Sequence, residues 1–178
     1  RQLHEAEISM TPETLHEAIG CSAERAEAWA QPITEAMEEY EINTPERQAA
    51  FLAQIGHESG RLKYVREIWG PTEAQKRYEG RQDLGNTQPG DGKRFMGRGL
   101  IQVTGRANYT SVGAALGLDD ILDHPEDLEK PEHAARTAGW FRKTHGLNEL
   151  AAEDDSGRLT RVLGTVAELP GVRNARRR

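Results

Sequence analysis

Residues 45–60 read PERQAAFLAQIGHESG, and the fold is best inferred outward from this stretch. Thr44 immediately precedes it, and the threonine–proline–glutamate sequence of residues 44–46 predicts a helix N-terminus, while Gly60 is placed to end the helix. Phe51, Ile55 and Glu58 are spaced i, i+4 and i+7, so a helix carries them in one row. The sequence therefore predicts a helix that buries an apolar row and ends on a carboxylate.

Glu58 continues this apolar row at the C-terminal end of the helix. A carboxylate there is partly desolvated and lies near the negative end of the helix dipole, and both effects favour its protonated form. Glycoside hydrolysis needs such an acid, together with a second carboxyl group across the scissile bond. Glu67, beyond the break at Gly60, is the leading candidate for that second carboxylate, while Glu79 and Asp83 are weaker ones. Spacing alone leaves a solvated surface charge as the commoner interpretation of each.

The rest of the chain predicts a mostly helical domain. A short helix should begin at Thr11 and end at Gly20, and Pro32 should kink or end the helix that follows. Later helices are expected over 109–116 and 131–143, each followed by a glycine.

A long glycine-rich loop separates the earlier helices from the later ones. Six glycines and Pro89 between residues 80 and 99 indicate tight turns. Residues 101–104 then alternate apolar and polar side chains, which predicts a small β element with Gln102 and Thr104 on one face. The expected fold class is mainly α, with two lobes and a small β element beside this loop.

Length, composition and charge exclude several classes of protein. A chain of 178 residues, 36% hydrophobic and 29% charged, is typical of one globular domain; we expect that domain to span 10–178, with 1–9 a leader or expression remnant. No apolar run approaches the ~20 residues of a membrane-spanning helix. A formal net charge of −6 argues against general nucleic-acid binding. The lone Cys21 cannot form an internal disulfide, and no feature indicates an oligomer, so a monomer is expected.

Two stretches resemble the hallmark sequences of glycoside hydrolase family 19, which includes chitinases and phage-type lysozymes (endolysins). Residues 49–60, AAFLAQIGHESG, are similar to the family's catalytic helix, which ends on a His-Glu pair. Residues 97–109, GRGLIQVTGRANY, are similar to its second hallmark and follow in the family's order. The resemblance implies a lysozyme-like helical domain, and the short chain resembles endolysins more than secreted chitinases.

The same resemblance implies roles for individual residues. Glu58 would be the general acid, and Glu67, with Glu79 as the alternative, would be the base of an inverting single displacement. In the second hallmark, Gln102 and Thr104 would bind sugar or hold the attacking water, and Asn108 matches a substrate-binding amide. No metal or cofactor is implied.

Four further residues are candidate substrate contacts on weaker grounds. His57 adjoins Glu58 and fits a hydrogen-bonding role better than a metal site, because no second histidine stands four residues away. Trp69 and Tyr78 lie between the two hallmarks and are placed to stack on sugar rings. Arg98 is expected to hydrogen-bond substrate or the second carboxylate, with an ordinary ion pair equally plausible. Residues 163–165 (LGT) replace the family's Asn-Gly-Gly-like turn, so a substrate-contacting asparagine is missing there.

The leading functional hypothesis is an endolysin that cleaves the β-1,4-linked amino-sugar backbone of peptidoglycan strands. A chitinase on the same scaffold, a non-catalytic glycan-binding module and a toxin used between bacteria are the alternatives. Because no signal peptide is apparent, such an enzyme is expected in the cytoplasm of the producing cell until it is released to the wall.

Overall fold

The structure, a computed structural model, describes residues 10–148 and is mainly helical, as predicted. Seven α-helices are formed within this part of the chain: α1 (Pro12–Ile19), α2 (Ala23–Glu39), α3 (Pro45–Glu58), α4 (Glu73–Lys76), α5 (Asp91–Arg94), α6 (Arg106–Leu116) and α7 (Pro131–Thr144). Short 3-10 helices lie at Gln82–Leu84 and Pro125–Glu129. None of the helices in the described residues is long and apolar enough to cross a membrane.

The core consists of two hydrophobic clusters. The larger one joins α1, α2 and α3 to the alanine face of α7, whereas the smaller one lies between Phe95, α6 and Leu128. Ile101 and Trp140 pack against both clusters. The two clusters correspond to the two predicted lobes, and the second hallmark stretch lies where they meet.

Helix termini follow the sequence signals closely. Thr11 and Thr44 cap α1 and α3 by accepting backbone N–H groups of the first turn, and Gly20 ends α1 in the left-handed conformation. Of the two outcomes expected at Pro32, an end of the helix is wrong, because α2 continues through the proline to Glu39. The helix buries residues on both sides of the proline, and this packing outweighs the single lost hydrogen bond.

The small β element is not a strand. Arg98 and Val103 exchange two backbone hydrogen bonds, of 3.1 and 2.9 Å, around a turn at residues 99–102. Gln102 has a left-handed backbone (φ 58°), so residues 101–104 are not extended as the alternation predicted. The element is a tight hairpin turn. Arg66 also pairs with Arg98 in an isolated antiparallel bridge, on the other side from Val103.

The glycine-rich loop is more ordered than its composition indicates. It contains α5 and a 3-10 turn, neither of which was predicted. Arg106 at the start of α6 forms a bidentate ion pair with the buried Asp91 (2.8 and 2.9 Å). Asn86 joins Tyr78 O to Arg106 N. These bonds hold the loop against α6, and thereby fix the segment that leads into the hairpin turn.

Candidate active site

Glu58 is the last residue of α3, and its side chain is exposed at the end of the buried row formed by Phe51 and Ile55. Partial desolvation is the largest influence on its carboxyl and raises its pKa above the usual value. A hydrogen bond from Gln54 and the positive charge of Arg142 oppose this rise. Glu58 is thus accessible to a ligand and biased towards the protonated form.

Arg142 of α7 reaches Glu58 through Gln54. The Arg142 side chain is buried, and its guanidinium donates to Gln54 Oε1 at 2.6 Å and to Leu147 O at 3.0 Å. Because the Gln54 carbonyl oxygen is occupied by this bond, its amide group is the part that donates to Glu58. Arg142 therefore fixes the orientation of Gln54 while its own charge stabilises the Glu58 carboxylate.

Replacing Arg142 by methionine is expected to shift the pH dependence of catalysis upwards. Loss of the cation removes an influence that lowers the Glu58 pKa, so the acid stays protonated to higher pH. The alkaline limb of kcat/KM against pH should therefore move to higher pH. An Arg136→Met variant is the matched control: Arg136 lies on the same helix and bonds Glu39 and Leu116 O instead. If the alkaline limb of the Arg142→Met variant stays where it is in the parent protein, the Arg142 charge does not influence the pKa of Glu58.

A left-handed turn connects Glu58 to the segment that carries the second carboxylate. Residues 60–62 all have positive φ, of 59°, 61° and 67°. Ser59 stabilises this turn, since its hydroxyl accepts the Leu62 N–H at 2.8 Å. The chain is thereby redirected after α3, and residues 65–67 pair with the hairpin turn of the second hallmark.

Glu67 is half-buried, and neutral donors surround its carboxylate. Gln75 Nε2 donates to Oε1 at 2.7 Å, the Tyr78 hydroxyl donates to the same atom at 3.4 Å, and the Gly97 N–H donates to Oε2. The Glu67 N–H donates in turn to Gly97 O at 2.9 Å. No cation bonds this carboxylate among residues 10–148, so its charge is held by dipoles alone.

Gly97 marks the point at which three candidate residues converge. A methyl group added to Gly97 would lie 2.7 Å from Glu67 Oε2, 2.8 Å from Gln102 Oε1 and 3.2 Å from Thr104 Oγ1. The Thr104 hydroxyl donates to Gln102 O at 3.0 Å, which leaves its oxygen lone pairs available as acceptors. A carboxylate, an amide and a hydroxyl thus share one small polar site, as a bound water or sugar hydroxyl requires.

The weaker carboxylates have other contacts. Both Glu79 oxygens accept backbone N–H groups, from Gly90 at 2.8 Å and Gly92 at 2.9 Å, and these bonds lower its pKa. Asp83 forms an exposed ion pair with Arg81, which lowers its pKa. Each of them ties together a loop outside the group formed by Glu67, Gln102 and Thr104.

The remaining candidates differ in their placement. His57 and Asn108 are exposed, and Asn108 donates to Thr104 O at 2.8 Å in the first turn of α6. Trp69 and Tyr78 lie together beside Glu67, with ring centroids 6.2 Å apart. Arg98 is internal instead: its guanidinium donates to Glu129 Oε2 at 3.0 Å, to Arg94 O at 2.7 Å and to the Tyr109 hydroxyl at 3.1 Å. Arg98 thus forms the ordinary ion pair that was one of its two expected roles. Its guanidinium is buried and is not available to a substrate.

Three structural partners of the site escaped sequence reasoning. Gln75 is 6% exposed and uses its amide to bond Glu67 and Ile68 O, while its oxygen accepts two backbone N–H groups. The Thr72–Gln75 capping box predicts a helix start there, but not the contact with a carboxylate. Gln54 and Arg142 are 88 residues apart, and no local pattern relates them. The divergent turn at 163–165 lies outside the described residues.

Comparison with known proteins gives a consistent result. A Haemophilus influenzae protein named as a glycosyl hydrolase family 19 domain-containing protein is 34% identical over 132 residues, 58% of this chain and 64% of the relative. Chitinase 4 of Oryza sativa subsp. japonica is 28% identical over 136 residues, 72% of this chain and 44% of the relative. The chain therefore spans less than two thirds of either protein. No protein-family model matches it.

The fold agrees with these relatives. A solved bacterial family 19 chitinase superimposes with a TM-score of 0.61 at 20% identity, covering 89% of this chain and 95% of that one. Likeness at this identity shows the fold, and the sequence matches are to proteins named for the same family. In sequence and in fold the chain is therefore similar to proteins of glycoside hydrolase family 19.

Proposed function

We propose that this protein is an inverting glycoside hydrolase that cleaves β-1,4-linked amino-sugar glycans, with Glu58 as general acid and Glu67 as general base. The observation that carries the proposal is the convergence of Glu67, Gln102 and Thr104 on Gly97, in a chain whose catalytic-type helix ends on Glu58. The raised pKa of Glu58 and the dipole-held charge of Glu67 suit an acid and a base, respectively.

In the proposed reaction Glu58 gives its proton to the glycosidic oxygen as the bond to the anomeric carbon breaks. A water on the opposite face attacks that carbon and gives a proton to Glu67. Thr104 orients this water: its hydroxyl donates to Gln102 O, so its oxygen accepts a hydrogen bond from the water. Turnover leaves Glu58 ionised and Glu67 protonated, and proton exchange with solvent restores both.

Among β-1,4-linked glycans we propose peptidoglycan as the substrate and host-wall lysis by a phage-type endolysin as the role. The enzyme would act on the cell wall after release from the cytoplasm of the producing cell. Chitin is the second candidate, and the names of the relatives favour it: the rice protein and the solved structures are chitinases.

Reducing-end release from purified peptidoglycan and from chito-oligomers tests the activity, with NMR of the first product. Inversion at a β-linkage is expected to give the α-anomer initially. A β-anomer would rule out single displacement. Binding to either glycan without any release of reducing ends would replace the proposal with a non-catalytic glycan-binding module. Turbidity loss of permeabilised Gram-negative cells, without cleavage of chito-oligomers, would select the endolysin role.

A further inference from the structure

A pocket of about 530 Å³ adjoins the candidate base, and most of its lining residues have no role in the reaction proposed above. Residues 63–69, including Glu67, form one wall, and Lys93, Met96 and Glu129 contribute to the rest. Its volume is within the usual range for small-ligand sites. Any glycan held at Glu67 therefore has an open cavity beside it.

The pocket lining is cationic, in contrast to the acidic protein as a whole. Lys63, Arg66 and Lys93 line it and are exposed. Of the two acidic side chains in the lining, Glu129 is paired with the buried Arg98 at 3.0 Å and reaches Arg66 only at 4.0 Å. Glu67 is the second. With the Glu129 charge compensated, three cations face one carboxylate, in a chain of formal net charge −6.

These three cations form only weak interactions with other residues of the described part of the chain. Within residues 10–148 Lys93 forms no ion pair or hydrogen bond through its side chain, and Lys63 lies over the Tyr64 ring at 5.1 Å. The pocket also carries the two large hydrophobic side chains that are exposed in this part of the chain, Tyr64 (42%) and Ile68 (76%). A ligand that brings both carboxylates and small apolar groups would satisfy this surface.

We propose that this pocket binds the carboxylate-bearing peptide stem that peptidoglycan carries on alternate sugars, and thereby favours peptidoglycan over chitin. Chitin is uncharged and carries no substituent larger than its acetamido groups, whereas peptidoglycan adds a lactyl group and a stem with alanine methyl groups and free carboxylates. The inference rests on the proposed function, because a strand bound at Glu67 is what brings its stem to the pocket. Arg66 and Lys93 are the specificity-determining residues, and neither touches the reacting atoms.

Calorimetric binding in a Glu58→Gln background tests the pocket without requiring turnover. The probes are soluble peptidoglycan tetrasaccharides with tetrapeptide stems, and chitotetraose. Adding Arg66→Glu and Lys93→Glu is expected to weaken binding of the stem-bearing probe about tenfold, since each exposed ion pair is worth up to a factor of about five. The ratio of the two affinities should fall by the same factor, and added salt should reduce the preference of the parent protein.

The matched control carries Arg25→Glu and Lys143→Glu. Both residues lie outside the pocket, and the two substitutions give the same change in net charge. Its affinity ratio is expected to stay within twofold of the parent. An unchanged affinity for stem-bearing strands in the pocket variant, or an equal loss for chitotetraose, would overturn the proposal. Absence of hydrolysis by the unmutated protein would remove the proposed function alone, because the binding comparison does not depend on cleavage.

Discussion

Glu58→Gln is expected to lower the rate of glycan hydrolysis by about two to four orders of magnitude while the protein stays folded. Glutamine has the shape of glutamate but cannot give a proton to the leaving oxygen. Loss of a general acid typically costs between 10² and 10⁴ in rate, so kcat should fall by about that factor with little change in KM. Reducing-end release, measured with the melting temperature of each variant, checks both parts of this expectation.

The local structure explains why folding should be spared. The Glu58 side chain is exposed, and its hydrogen bond comes from Gln54, whose amide can donate equally to a glutamine oxygen. A Glu46→Gln variant is the control, because Glu46 lies on the same helix at its N-terminal end. Comparable activity of Glu58→Gln and Glu46→Gln would exclude Glu58 as the acid. A rate loss accompanied by a large fall in melting temperature would show that the effect is structural.

The helical parts of this fold were accessible from sequence because their signals are local. Thr44 and its following proline predict the start of α3, and the row of Phe51 and Ile55 predicts its buried face. The helix does not end at Pro32, because the packing of α2 outweighs the one backbone hydrogen bond that the proline removes. That packing involves other helices and cannot be read from the local sequence. The sequence predicted that Gln102 and Thr104 lie on one face, and their side chains do approach the same point at Gly97. They do so through a turn, since Gln102 has a left-handed backbone, and not along a strand.

The surroundings of the candidate base were not accessible, because they depend on contacts between distant segments. Gly97 lies 30 residues from Glu67, and its role is to leave room: any side chain there would occupy the space of Glu67 and Gln102. Gln75, in the first turn of α4, donates directly to the Glu67 carboxylate from eight residues along the chain. The periodicity of apolar residues describes the faces of one helix or strand, and it carries no information about contacts between segments that are distant in sequence.

Glu67→Gln is expected to lower kcat by two to three orders of magnitude, because the attacking water loses its proton acceptor. This variant carries a structural cost that Glu58→Gln does not. Both Glu67 oxygens accept hydrogen bonds, so the new amide group must face either Gln75 Nε2 or the Gly97 N–H, each of which is a donor. One mismatched bond of this kind costs about 1–3 kcal/mol, which thermal unfolding would detect.

The double variant Glu67→Gln, Gln75→Glu separates chemistry from structure. Glutamate at 75 can still accept the Gly70 and Thr72 N–H groups, and its second oxygen can accept the new amide of residue 67. The mismatch at residue 67 is thereby removed, at the expense of the bond to Ile68 O, while the carboxylate is moved away from Thr104 and Gln102. We expect the melting temperature to recover in part and the rate not to recover. Recovery of the rate with the stability would show that Glu67 only supports the fold. Full activity in the single variant would make Glu79 the next candidate, and Glu79→Gln, measured alongside, distinguishes the two.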